Sequence, residues 1–308
     1  MRIAILGASS QIAKDLILSF TFKNVHSLTL YARQPATVTQ WLTNVGAPGR
    51  HVVADFDSFN ADHRFEAIIN CVGVGNPAQA VAMGSLIYEV TLKYDNMALD
   101  YLLKHPNCRY LFLSSGAAYG SSFEKPVDEN STAVVAINKL QQQSWYAVSK
   151  LHAECRHRSH EQLPIIDIRV FNYFSRTQDI SARFLITDIL RAIREGEVLK
   201  VSDDYIVRDY LHPNDFYQLI DRLLASPAAN MPIDCYSKAP VDKPTLLTAM
   251  QEKFGLEYRV VPSNATVNAT GIKPYYYSLN KRAADFGFRP ELTALECVER
   301  EAAAIMAN

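Results

Sequence analysis

The chain has 308 residues, 48% hydrophobic and 20% charged, which is ample for a buried core. That length suggests two domains, or one large α/β unit with an appended lobe. With 31 basic residues against 32 acidic ones, it has neither the basic excess nor the basic stripe of a nucleic-acid binder. No apolar run reaches the roughly 18–20 residues of a membrane span. The five cysteines (Cys71, Cys108, Cys155, Cys235 and Cys297) are scattered and form no C-x-x-C pair. That pattern suits a reducing cytoplasm better than zinc or a disulfide framework. The opening MRIAILGASS runs into a strand and has no signal-peptide pattern. The N-x-[ST] matches at Asn130, Asn264 and Asn268 therefore carry no expectation. Only 12 glycines are present, about 4% where roughly 7% is usual, so each is expected to be needed.

In chain order, residues 2–6 (RIAIL) form a short apolar strand. Gly7 follows, then a helix with Ile12, Leu16, Ile17 and Phe20 on one face. Residues 28–31, 51–54 and 67–72 read as strands two, three and four, the last closed by Gly73 and Gly75. A helical pattern covers about 79–104 and breaks at Pro106. Residues 109–114 are a fifth strand, 145–162 a helix stopped by Pro164, and 165–171 a sixth strand. Short apolar strands alternating with helices predict α/β class, with a doubly wound parallel Rossmann-type sheet covered on both faces. Residues 1–171 are read as the dinucleotide-binding domain, with 205–230 packing back on it. Residues 172–204 and 231–290 are read as a smaller, irregular substrate lobe, with helices at 182–194 and 243–254 and an extended piece at 258–261. Residues 291–308 carry a C-terminal helix.

The turn Gly7-Ala8-Ser9-Ser10-Gln11-Ile12-Ala13 joins the first strand to the first helix. Gly7 suits a tight turn, and the helix N-terminus offers free N–H groups to a pyrophosphate. The three-glycine dinucleotide pattern keeps one glycine here, with Ser10 and Ala13 at the other two places. Any tight βα turn also fits. NAD-selective sites end the second strand on a carboxylate. This chain has Tyr31-Ala32-Arg33-Gln34 there, and Arg33 is either a clamp for a 2′-phosphate, favouring NADP over NAD, or an ordinary surface arginine. Asp55 is either an acceptor for the adenine amino group or a turn cap. Gly7, Ser9, Ser10, Gln11, Ile12, Arg33, Asp55, Phe56, Val72, Gly73 and Ser114 are the expected cofactor-binding positions, together with Tyr146 and Lys150.

Tyr146-Ala147-Val148-Ser149-Lys150 puts a tyrosine and a lysine four apart on one helix face. An isolated phenol, with a pKa near 10, is a poor acid–base group at pH 7. An adjacent lysine cation lowers that value, so the tyrosine can exchange a proton with a carbinol oxygen while hydride moves at carbon. Lys150 can also hold ribose hydroxyls. Ser115, in the fifth-strand terminus Leu113-Ser114-Ser115-Gly116-Ala117-Ala118-Tyr119-Gly120, can bond the same oxygen. Strand C-termini are where such sheets bind ligands.

These features together resemble an extended short-chain dehydrogenase/reductase of the NAD-dependent epimerase/dehydratase family. The resemblance rests on Gly7 to Ala13, Asp55, Ser114-Ser115 with Tyr119-Gly120, and Tyr146 with Lys150. RVFN (169–172), VRDYLHPND (207–215) and SLNKRAADFGFRP (278–290) extend it over nearly the whole chain. It implies Ser115, Tyr146 and Lys150 as the catalytic triad, and Ser115, Tyr119, Asn172 and Arg208 facing the substrate, with Arg208 on a nucleotide diphosphate. Arg208 also has an intramolecular reading, paired with Asp203, Asp204 or Asp209. Lys273 is a weak candidate for a second phosphate contact.

Dehydratases resembling this chain carry an Asp-Glu pair after the active hydroxyl residue, and here Gly116 and Ala117 stand there. The expected reaction is therefore NADP-dependent reduction of a keto group on a nucleotide-linked sugar. Alternatives are an NAD-dependent nucleotide-sugar epimerase, a reductase of free carbonyl compounds, and a non-catalytic NADP sensor. No metal is expected: His152, His157 and His160 read as a solvated or dimer-facing helix surface. Tyr275-Tyr276-Tyr277 reads equally as a pocket lining or a half-buried strand. Leu86, Val90, Met97, Leu99 and Leu103 are either core or part of a homodimer interface, which the family resemblance implies.

Overall fold

The computed structural model describes residues 1–74, 80, 82–120, 123–263 and 273–307. Gly75, Asn264 and Asn268 lie outside the described residues. The first half alternates strand and helix: β1 (Arg2–Leu6), α1 (Gln11–Lys23), β2 (Ser27–Tyr31), α2 (Pro35–Asn44), β3 (Val52–Ala54), β4 (Ala67–Asn70), α3 (Leu86–Lys104), β5 (Arg109–Ser115), α4 (Trp145–Ser159) and β6 (Ile165–Val170). The rest comprises β7 (Asn172–Tyr173), α5 (Leu185–Glu195), β8 (Leu199–Ser202), β9 (Val207–Arg208), β10 (Tyr210–Leu211), α6 (Pro213–Ala225), β11 (Met231–Asp234), β12 (Val241–Asp242), α7 (Lys243–Phe254), β13 (Tyr258–Val261), β14 (Tyr275–Tyr276) and α8 (Ala294–Met306).

The central sheet has seven strands in the order β11-β6-β5-β4-β1-β2-β3, and every neighbouring pair is parallel. Strand alternation explains the two-sided burial. Ile3, Ile5, Ile69, Leu111 and Ile168 point to one face, against Leu16 and Phe20 of α1 and Phe216, Leu219 and Leu223 of α6. Ala4, Leu6, Ile68, Tyr110 and Phe112 point to the other, against Ala98, Leu99 and Leu102 of α3 and Ala153 of α4. Because the strands are parallel, the turns after β1, β4 and β5 all open on one edge, where doubly wound sheets bind their ligands.

A second core lies between α5, α7 and α8, built from Ile189, Leu190, Leu246, Met250, Val298 and Ala302. Short pairs β7–β10, β8–β13 and β9 with β12 and β14 frame it. The structure redraws the lobe expected at 231–290. Met231–Asp234 is the edge strand of the central sheet, paired with β6. Its Met-Pro-Ile-Asp sequence shows no apolar run, and an edge strand tolerates the proline. Ala283 and Phe288 also pack into the sheet-side core. Conversely, the helix expected as a separate 291–308 segment is part of the lobe core, started by a Thr293–Glu296 capping box. Among the described residues no helix is long and apolar enough to cross a membrane.

Candidate active site at the carboxyl edge of the sheet

The β1–α1 turn sits hard against β4. Gly7 has φ +80°, and a Cβ there would stand 2.9 Å from the Val72 amide nitrogen. Only glycine fits a left-handed turn in that contact. The Gly7 and Ala8 amides both donate to the Tyr31 carbonyl, at 2.9 and 3.0 Å. Ser10 is the N-cap of α1 and accepts from the Ala13 amide at 3.4 Å. This explains a serine where the pattern has glycine: the hydroxyl satisfies one of the free amides of the first turn. No acidic side chain lies in that turn, so the positive helix end is left for an anion.

The remaining predicted cofactor positions divide. Ser9 and Gly73 are exposed on this edge, and Val72 is half-buried beside them. Arg33 is exposed just past β2. Gln11 is turned away, donating to Ser175 Oγ at 2.9 Å, and Ile12 packs on the sheet-side core. Asp55 acts as a cap, accepting from the Ser58 amide at 2.9 Å. Phe56 is buried against Tyr94, with ring centroids 4.4 Å apart. The Ser114 hydroxyl is committed to Glu154, donating to Oε1 at 2.5 Å. Arg169 grips Glu154 in turn through Nε at 3.0 Å and Nη2 at 2.5 Å. Glu154 was not singled out from sequence, though it lies four residues after Lys150 on the same helix face.

Ser115, Tyr146 and Lys150 converge where β5 ends and α4 begins. Tyr146 is hydrogen-bonded to Ser115. Lys150 is buried, donates from Nζ to the Leu113 carbonyl at 2.7 Å, and lies 4.4 Å from the centroid of the Phe112 ring. A Cβ on Gly73 would stand 3.6 Å from that ammonium, so Lys150 reaches the β4 turn. Burial pulls its pKa down to about 8, against the opposing pull of Asp95, Glu154 and Asp167. The expectation that Lys150 depresses the Tyr146 phenol is corrected here. Burial pushes Tyr146 up and the Ser115 bond is what pulls it back, because the ammonium rests on the Leu113 carbonyl.

Tyr119 does not offer its hydroxyl to this site. It donates to Asp234 Oδ2 at 2.8 Å, with the Arg169 guanidinium 4.4 Å from its ring centroid. Asn172 is half-buried on β7 and makes a long 3.5 Å contact to the Asp209 carbonyl. Arg208 is half-buried on β9 and donates to the carbonyls of Val207 and Lys273, at 2.8 and 2.7 Å. None of its intramolecular candidates pairs with it. Asp203 and Asp204 bond Ser263, and Asp209 accepts from the Ser237 amide. Among the described residues no carboxylate is ion-paired to Arg208 or Lys273. Burial and the neighbouring Arg208 lower the Lys273 pKa to about 8.

The histidine cluster is also corrected. His152 is exposed and His160 half-buried, but His157 is fully buried. Its Nδ1 meets Asp167 Oδ1 at 2.5 Å and its Nε2 meets Asp95 Oδ1 at 2.7 Å. The two carboxylates come from β6 and α3, far enough along the chain that helix spacing alone does not reveal them. Among the described residues no group of His, Cys, Asp or Glu is arranged to hold a metal. Leu99 is core, Val90 and Met97 pack against it, and Leu86 and Leu103 are exposed. Tyr275–Tyr276 is a half-buried strand, and Tyr276 also lines the site.

The sequence profile of the NAD dependent epimerase/dehydratase family matches residues 3–235. Among curated proteins, none matches the chain in sequence. Solved structures of similar fold include dTDP-glucose 4,6-dehydratase from Bacillus anthracis with NAD, at TM-score 0.80, 16% identity, and coverage of 100% of this chain and 97% of that one. UDP-glucose 4-epimerase from Bifidobacterium longum with NAD+ and UDP superposes at TM-score 0.77, 16% identity, and coverage of 100% and 98%. UDP-glucose-4-epimerase from Stenotrophomonas maltophila, with NAD and formylated UDP-arabinopyranose, superposes at TM-score 0.81, 15% identity, and coverage of 100% and 98%.

Proposed function

Because the chain belongs to the NAD dependent epimerase/dehydratase family, we propose that it moves hydride at a secondary carbon of a nucleotide-linked sugar, reducing a keto group with NADPH. The observation that carries this reading is the meeting of Ser115, Tyr146 and Lys150 beside Gly73.

A nicotinamide dinucleotide fits the residues of this edge. The Gly7 turn is cleared of side chain where it meets Val72, and the α1 N-terminus presents free amides. That turn, with Ser9 and Ser10, would receive the pyrophosphate. Lys150 would hold ribose hydroxyls beside Gly73, and Arg33 a 2′-phosphate. Bound there, the group supplies or accepts the hydride. Tyr146 exchanges the proton with the reacting oxygen, and Ser115 holds that oxygen in line. Arg208 and Lys273, two half-buried cations with no carboxylate partner among the described residues, suit the substrate diphosphate, where an arginine fork is well matched to phosphate oxygens. Asn172 and the lobe complete the substrate side.

Elimination of water is disfavoured by a steric fact at Gly116. A Cβ there would stand 2.4 Å from Phe171 Cδ1, so no acidic side chain has room at position 116, directly after the active hydroxyl. A second reading, an epimerase that keeps NAD and returns the hydride, is favoured by the family's own description. The Arg33 position and the missing carboxylate after β2 favour reduction. The reading places the protein in the cytoplasm, which suits five unpaired thiols, and as a homodimer, which suits the exposed Leu86 and Leu103 of α3.

Turnover of UDP- and dTDP-linked 4-keto sugars with NADPH and NADH separates these readings. Stoichiometric NADPH oxidation, with Arg33→Ala losing the preference for NADPH, supports the reductase. Tightly retained NAD, with interconversion of sugars and no net oxidation or reduction, overturns it in favour of the epimerase.

A further inference from the structure

Strand β14 brings a second phenol to the reacting hydroxyl. The Tyr276 hydroxyl lies 3.3 Å from Ser115 Oγ, the same atom group that bonds Tyr146. Its ring is fixed by Phe123, edge to face at 4.7 Å between centroids, and by Phe171 at 5.2 Å. The β14–β9 register pairs Tyr276 with Arg208, so its position is set by the sheet and not by a free side chain.

Three other phenols in this chain spend the hydroxyl on a carboxylate. Tyr119 bonds Asp234, Tyr110 bonds Asp95 and Tyr173 bonds Asp15. Among the described residues Tyr276 has no carboxylate partner, and it turns to Ser115 instead. Its surroundings are cationic: Lys273 Nζ lies 4.7 Å and Arg208 Cζ 6.0 Å from the ring centroid. The cations are held against the ring face, which fixes the phenol on the side of the site where Arg208 and Lys273 gather.

We propose that Tyr276 is a further catalytic residue, whose hydroxyl donates to the substrate oxygen next to the one held by Ser115 and Tyr146. The inference rests on the hydride-transfer reading above. It narrows the substrate class to a sugar with oxygen on adjacent carbons, an α-hydroxy ketone in the oxidised state and a vicinal diol in the reduced state. Tyr146 alone exchanges a proton with the reacting oxygen. Tyr276 keeps its own proton and breaks no bond, and its donated hydrogen bond orients the neighbouring oxygen.

The test compares wild type with Tyr276→Phe on a UDP-linked 4-keto hexose and its 3-deoxy counterpart, and on the dTDP-linked pair. A donor committed to one substrate hydroxyl is worth about tenfold or more in kcat/KM. Wild type is expected to favour the hydroxylated sugar by that factor, and Tyr276→Phe to bring the ratio close to one. Phenylalanine keeps the ring between Phe123 and Phe171, and a thermal melt confirms that the variant is folded. A purely packing role lowers both substrates alike, so a ratio retained in Tyr276→Phe overturns the role of Tyr276 and leaves the functional reading standing. Wild-type protein inert toward all four sugars overturns both.

Discussion

His157 makes a contribution to stability whose pH dependence follows from its contacts. The imidazole is fully buried between Asp167 and Asp95, at 2.5 and 2.7 Å. Burial pulls its pKa down, but the two carboxylates outweigh burial and hold it at about 9, against an ordinary 6.5. Between those values the folded chain keeps a proton that the unfolded chain releases. The stabilisation is therefore complete below pH 6.5 and is lost as pH rises through about 9. At about 1.4 kcal/mol for each pH unit, the full loss is about 3 kcal/mol. Lys150 acts in the opposite sense. Its pKa falls from 10.5 to about 8, so the unfolded chain holds the extra proton above about pH 8 and stability climbs there. Lys273, also lowered to about 8, adds to that climb, so urea unfolding of the wild type is expected to show stability falling from pH 6.5 to 8 and rising again from 8 to 9. His157→Gln removes only the first titration. The wild-type advantage over this variant is expected to be greatest below pH 6.5 and to shrink by about 3 kcal/mol by pH 9. An advantage that stays constant across that range refutes a protonated His157 bridging two carboxylates.

Two further substitutions probe the frame around the site. Gly7→Ala sets a Cβ 2.9 Å from the Val72 amide in a left-handed turn. The conformation costs about 1–2 kcal/mol and the overlap about 1–3 more. Thermal melting is expected to show the loss, and cofactor titration a weaker grip; an unchanged melt contradicts the close contact. Asn230 donates from Nδ2 to the carbonyls of His157, His160 and Leu163, at 3.1, 2.8 and 2.9 Å, tying off the end of α4. Asn230→Ala is expected to cost about 1–3 kcal/mol in urea unfolding, and a cost near zero would show that water replaces the amide fully.

The strands β1, β2, β4, β5 and β6 were legible because a strand buried on both faces has to be an apolar run. The edge strand β11 was not, since Pro232 and Asp234 interrupt its pattern and an edge does not demand one. Helix α2 was missed for a related reason: only Val38 and Leu42 of its residues are buried, too few to mark a face. At the site, Tyr146 and Lys150 were legible from their spacing, because four residues along a helix is a spatial statement. The electrostatic sense of that pair was not, because it turns on where the Lys150 ammonium rests. His157 looked like surface because its partners are 10 and 62 residues away in sequence. Tyr276 was visible only as one of three tyrosines, and β14 decides which of them faces Ser115.

The Phe171 ring against Gly116 also constrains how this chain can change over generations. An acid beside Ser115 would open the way to elimination chemistry, but a side chain at 116 collides with a ring in the middle of an aromatic cluster. The accessible order of mutation is therefore fixed: position 171 has to shrink before position 116 can gain a carboxylate. Shrinking Phe171 removes packing from Tyr119, Phe123 and Tyr276 together, so the intermediate on that path loses core stability before any new reaction repays it. A single buried contact thus acts as a ratchet against gaining an acid at position 116.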